Sequence, residues 1–96
     1  MVERIMTQHP QKKNGVNIRR GQYEQMRSAI ELVLKKDGPQ TFQTLNEAVN
    51  QKLEGNFEGS IGWYYTTVKL DLEARGVIFC ERKSGQPQMI RLAENE

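Results

Sequence analysis

Apolar residues recur along the central part of the chain with a helical period. Tyr23, Met26, Ile30, Val33 and Leu34 follow one another at spacings of three and four, which places them on one face of a helix over about residues 20–36. Lys35 and Lys36 suit the negative end of that helix's dipole, and Asp37-Gly38-Pro39 stops it with a glycine that can take positive φ and a proline that cannot continue. After a short extended link at Thr41-Phe42-Gln43, Thr44 and Glu47 have the Thr-x-x-Glu spacing by which two side chains satisfy each other's backbone donors at a helix start. Leu45, Val49 and Leu53 then give a second helix its buried stripe, ending near Gly55. Ser60 is placed to cap a third helix over residues 61–75, closed by Gly76. Beyond it the pattern turns to β: residues 77–83 begin β-branched and aromatic, Ser84-Gly85-Gln86-Pro87 reads as a turn, and residues 88–92 return as a second strand. Residues 1–19 show no sustained period and contain Pro10 and Asn14-Gly15, which predicts an N-terminal basic arm with one short strand. The expected divisions are that arm, a folded domain over 20–93 and a frayed tail over 94–96.

The order helix, short extended segment, helix, helix, hairpin predicts an α+β, mainly α fold. It is the order of a winged helix, a three-helix helix-turn-helix core whose open side is covered by a C-terminal β-hairpin wing. Leu72-Glu73-Ala74-Arg75-Gly76-Val77-Ile78 fits, since a helical core position is followed four residues later by a stop glycine and then by a β-branched strand. The block Gly62-Trp63-Tyr64-Tyr65-Thr66-Thr67-Val68-Lys69-Leu70-Asp71-Leu72-Glu73-Ala74-Arg75-Gly76, with the stretch Lys12-Lys13-Asn14-Gly15-Val16-Asn17-Ile18 before it, resembles a small, uncharacterised bacterial family. The resemblance runs over about residues 12–92 and implies a winged-helix-like domain. It implies no activity and brings no functional residues with it.

The third helix is apolar on two sides. At about 100° per residue, Ile61, Tyr64, Tyr65, Val68 and Leu72 share one sector, while Trp63, Thr67, Leu70 and Ala74 share another roughly opposite. The polar sector left over holds Gly62, Thr66, Lys69 and Glu73, a single cation beside a carboxylate. A Trp-Leu-Ala stripe left in water is the kind of patch that marks a contact surface. Two covers are open at this point: the arm, folding Val2, Ile5 and Met6 back over Trp63, or a second copy of the chain across a twofold axis, giving a homodimer through helix 3 or the arm.

Composition bounds the rest. With 96 residues and 36% hydrophobic content the chain makes one small domain with a thin core. It has no apolar run long enough for a bilayer and no secretion signal at its start, so no membrane association is expected and the location expected is cytoplasmic. A single cysteine, Cys80, and a single histidine, His9, give neither a disulfide nor a zinc site of usual composition, and no metal or cofactor is expected. The net charge of +2 conceals an asymmetry: residues 1–20 set Arg4, Lys12, Lys13, Arg19 and Arg20 against Glu3 alone, whereas residues 37–60 set Asp37, Glu47, Glu54 and Glu58 against Lys52 alone. Attraction to an anionic polymer is therefore expected to come mainly from the arm.

Candidate chemistry is sparse. His9 sits beside Pro10 in the arm, Cys80 lies in a strand without a second histidine, and Asp71 and Glu73 are two apart on a helix and so point different ways; the chain does not read as an enzyme. Two readings remain. In the first the domain binds double-stranded DNA: Ser60, Thr66 and Lys69 present helix 3 to a groove, Arg82 and Lys83 lie near the wing tip, and Lys12, Lys13, Arg19 and Arg20 reach phosphates. In the second it is a protein-interaction or dimerisation module working through Trp63, Thr67, Leu70 and Ala74.

Overall fold

The computed structural model describes residues 3–9, 11, 15–82 and 84–93. Its elements are β1 (Arg4–Met6), β2 (Asn17–Arg19), α1 (Arg20–Asp37), β3 (Gln40–Thr41), α2 (Phe42–Leu53), α3 (Ile61–Ala74), β4 (Ile78–Glu81) and β5 (Met89–Leu92). The fold is α+β, and each helix buries the stripe its period predicts. Tyr23, Met26, Ile30, Val33 and Leu34 of α1, Leu45, Val49 and Leu53 of α2, and Tyr65, Val68 and Leu72 of α3 form one core with Ile18, Ile78 and Ile90.

The helix ends follow local chemistry. Gly38, at φ +80°, donates to the Leu34 carbonyl and closes α1. At α3 the Ser60 hydroxyl accepts from the Trp63 N–H at 3.2 Å, and the far end closes with Gly76 donating to the Glu73 carbonyl and Val77 to that of Leu72. The start of α2 differs from expectation. Its cap is Thr41, whose hydroxyl accepts from the Thr44 N–H at 3.1 Å, so the helix begins at Phe42 and Glu47 has no capping role. Thr41 is the last residue of β3, and the extended backbone that pairs it with Met89 is also the conformation an N-cap needs.

A three-stranded antiparallel sheet in the order β3-β5-β4 ties this start to the hairpin, with Gln40 opposite Ile90 and Ile78 opposite Leu92. Ile78 and Ile90 turn to the core while Phe79 faces out.

The arm contains two strands where the sequence predicts one. Ile5 lies opposite Ile18 in an antiparallel pair, extended by the Thr7 N–H donating to the Val16 carbonyl and the Val16 N–H donating to the Thr7 hydroxyl. Gly15 is required there, because a Cβ would fall 1.7 Å from the Thr7 carbonyl oxygen. Ile18 is buried and Ile5 packs beside the core, so this hairpin belongs to the body. The frayed tail and the positions Val2, Lys12, Lys13 and Lys83 lie outside the described residues.

Asp71 joins hairpin to helices. It is fully buried, where the sequence suggests only a carboxylate turned away from Glu73, and it accepts from the Tyr23 hydroxyl at 2.5 Å, from the Gln8 N–H at 2.8 Å and from Arg75 Nε at 2.9 Å. Burial first and this hydrogen bond second push the Tyr23 phenol above its ordinary range. Asp71→Ala strands three donors and is expected to cost about 3–5 kcal/mol in urea unfolding. At the α2 start, Thr41→Ala is expected to cost about 1 kcal/mol and Glu47→Ala less than about 0.5 kcal/mol by the same measurement, the reverse order from that implied by a Thr44–Glu47 cap.

Candidate functional site

Viewed down its axis, α3 meets a different neighbour on each side. Tyr65, Val68 and Leu72 face the core, and Asp71 faces α1 and the N-terminal hairpin. Lys69 turns toward Phe42 at the head of α2, its ammonium 5.9 Å from the ring centroid and 3.4 Å from Glu73. The Phe42 ring packs at 4.9 Å on Tyr65, whose hydroxyl donates to the Phe42 carbonyl at 2.9 Å. What remains toward solvent is a ridge of Gly62, Trp63 and Thr66, with Leu70 half-buried at its edge. Trp63 is 47% exposed although its ring makes an edge contact with Tyr64 at 5.0 Å.

The N-terminal hairpin covers one flank of this ridge, with other side chains than those expected. Thr7, Gln8, His9, Gly15 and Val16 close a small hollow of about 140 Å³ against Trp63, Thr67 and Leu70. Ile5 instead packs beside the core, and Met6 is exposed. Thr67, Leu70 and Ala74 are therefore half-buried, and Trp63 keeps an open face.

Of the cations proposed for nucleic acid, Lys12, Lys13 and Lys83 lie outside the described residues, and Arg19, Arg20 and Lys69 have carboxylates beside them. Arg19 lies 3.6 Å from Glu58, Arg20 lies 3.3 Å from Glu3 and 3.5 Å from Glu24, and Lys69 is held by Glu73. Exposed pairs of this kind contribute little stability. Their importance here is electrostatic, since a carboxylate beside Arg19, Arg20 and Lys69 weakens the field a phosphate would feel there. Ser60 is occupied as a cap, Thr66 is exposed on the ridge, and Arg82 is exposed just beyond β4.

The isolated reactive groups are also engaged. His9 Nδ1 accepts from the Gln11 N–H at 3.1 Å within the turn. Cys80 is half-buried next to Lys69 and Glu73, and burial pushes its thiol up, with Lys69 pulling the other way and Glu73 reinforcing the rise. Among the described residues no group of three His, Cys, Asp or Glu side chains is placed to hold a metal ion, and no helix is long and apolar enough to cross a membrane.

Of the residues that shape this site, Asp71 is the one a sequence reading passes over. Its signal is modest: it stands three residues after Val68 and four before Arg75, at the margin of the apolar sector and at helical pairing distance from a cation.

A raised thiol pKa means less thiolate at neutral pH. Alkylation of Cys80 by iodoacetamide at pH 7 is therefore expected to run at least about tenfold slower in the folded protein than in the urea-unfolded chain. In the folded protein the rate should still be climbing above pH 9, as followed by mass spectrometry.

Comparison with known proteins yields one match: the profile of a family of unknown function (DUF6958) covers residues 4–89. No protein of curated function and no solved structure matches the chain.

Proposed function

The chain belongs to this family of unknown function, and since membership assigns no activity, we propose from the residues themselves that it is a non-enzymatic winged-helix domain whose third helix binds protein, the partner being a second copy of the chain. Support for the winged-helix reading comes from topology. Three helices precede a hairpin, and the short strand between α1 and α2 completes the sheet in the order β3-β5-β4. Support for a non-enzymatic role comes from the state of the reactive groups: Cys80 has its thiol pushed up and Asp71 has its oxygens engaged by three donors.

The observation that carries the choice of partner is the uncharged ridge of α3. A helix that reads DNA turns polar and basic side chains to the groove, whereas here Trp63 stands outward with Leu70 half-buried beside it, and Arg19 and Lys69 already have carboxylates. The ridge also suits self-pairing. Gly62, Thr66 and Leu70 form one row at intervals of four, small at one end, which lets another helix approach closely. Trp63 and Leu70 lie seven residues apart, so an antiparallel crossing centred between Thr66 and Thr67 sets each Trp63 against the partner's Leu70, and no like charges meet.

DNA binding is the competing reading. Arg82, exposed and in no ion pair among the described residues, is the feature in its favour.

The expected result of sedimentation equilibrium is a dimer, which Trp63→Ala and Leu70→Ser each convert to monomer with at least about tenfold weaker association while leaving the circular dichroism spectrum unchanged. Duplex DNA titrated at low salt, where nonspecific affinity is greatest, is expected to give no binding. A wild type that stays monomeric at high concentration sinks the dimer, and a DNA signal that collapses with salt and with Lys12/Lys13→Ala moves the function to nucleic acid.

A further inference from the structure

Among the described residues, one group of cations free to attract a ligand lies away from α3. Arg19, Arg20, Arg27, Lys69, Arg75 and Arg91 each form an ion pair. Lys35, Lys36 and Lys52 are exposed and enter no ion pair among the described residues. These three surround Leu32, a residue that is 54% exposed on the outer face of α1.

Leu32 stands between two open hollows. The larger, about 540 Å³, runs from Arg27 and Lys35 across to Val77, Leu92 and Ala93 at the end of the sheet; the smaller, about 280 Å³, has Lys36 and Lys52 on its walls beside Ala48. Among the described residues two carboxylates line them. Glu31 is taken by Arg27 at 3.0 Å, while Asp37 lines the smaller hollow. Among the described residues cations thus outnumber acids around the apolar side chains of Leu32, Val77 and Leu92.

We propose that this face, Leu32 with its two hollows and the lysines around them, is a docking site for an acidic amphipathic peptide segment of a partner protein. An amphipathic helix lays its apolar side into a hydrophobic groove and turns its charged side to the rim. Leu32, Val77 and Leu92 offer the apolar contacts, and Lys35, Lys36 and Lys52 offer rim charges complementary to glutamates. A second copy fits less well, because this face presents like charges to itself and most acids among the described residues lie in ion pairs. The site shares no residue with the α3 ridge, so the two readings succeed or fail separately.

The test uses a fluorescein-labelled helical peptide of about 14 residues, with leucines at spacings of three and four and glutamates elsewhere, and a control carrying lysine for every glutamate. Fluorescence anisotropy is expected to show saturable, salt-sensitive binding of the glutamate peptide alone, with amide shifts centred on Leu32, Lys35 and Val77. Leu32→Ser, safe for folding because the side chain is mostly in water, and the double variant Lys35→Glu/Lys36→Glu should each weaken it about tenfold, whereas Trp63→Ala should leave it unchanged. The proposal is overturned by any of four results: no saturable binding, equal binding of the lysine peptide, shifts centred on Trp63 and Leu70, or an affinity indifferent to both groove variants. Loss of a dimer on Leu32→Ser overturns it too, because the groove then seats a second copy. Binding of anionic lipid vesicles that displaces the peptide and is lost in the same variants assigns the face to a membrane surface and likewise rejects the proposal.

Discussion

Burying the Asp71 carboxylate commits this fold to supplying it with donors. An ion of that size loses several kcal/mol of hydration inside a protein, and only well-placed hydrogen bonds offset the loss. Here the donors come from three places: the Tyr23 hydroxyl on α1, the Gln8 amide in the N-terminal hairpin and Arg75 one turn along α3. Tyr23 and Asp71 are 48 residues apart and Gln8 and Asp71 are 63 apart, so the contacts can form only when the hairpin, the first helix and the third are docked together. The small core then serves a body larger than its three helices, because Ile5 and Ile18 are drawn in with the hairpin.

The same anchor sets the rotation of α3 about its axis. Successive residues on a helix are turned by about 100°. With Asp71 directed at α1 and the hairpin, Leu70 is carried round to the edge of the hollow beside Trp63 and Lys69 toward Phe42. The outward ridge is apolar for that reason, and the one lysine of the helix is occupied by Glu73 and the Phe42 ring. Docking the hairpin redistributes charge as well. Arg19 and Arg20, members of the basic N-terminal segment, come to rest beside Glu58, Glu3 and Glu24, while the lysines at the end of α1 and on α2 enter no ion pair among the described residues. A surface ranked by sequence composition alone is reordered once the elements pack.

Core helices were legible because helical period is a local property. Tyr23, Met26, Ile30, Val33 and Leu34 had to share a face whatever the rest of the chain did, and the structure buries all of them. Ser60 and Gly76 mark the ends of α3 as their chemistry requires. The cap of α2 was displaced by three residues, since two threonines stand close together and the choice between them falls to the pairing of Thr41 with Met89, which lies far along the chain. The second strand of the arm was hidden for a similar reason: residues 17–19 alternate polar, apolar, polar over too few positions to mark a strand and are held extended by residues 4–6.

Periodicity, caps and turn residues determined by themselves where the three helices and the C-terminal hairpin lie and which side chains form the core, because these follow from contacts within a few residues of one another. They also exposed the second apolar face of the third helix. Tertiary structure alone decided that Asp71 is buried, that Thr7, Gln8 and Val16 cover the flank of Trp63 in place of Met6, and which cations keep a free charge. Each of those outcomes depends on residues brought together from distant parts of the chain, and the energy of a buried carboxylate or an ion pair is set by what surrounds it in space.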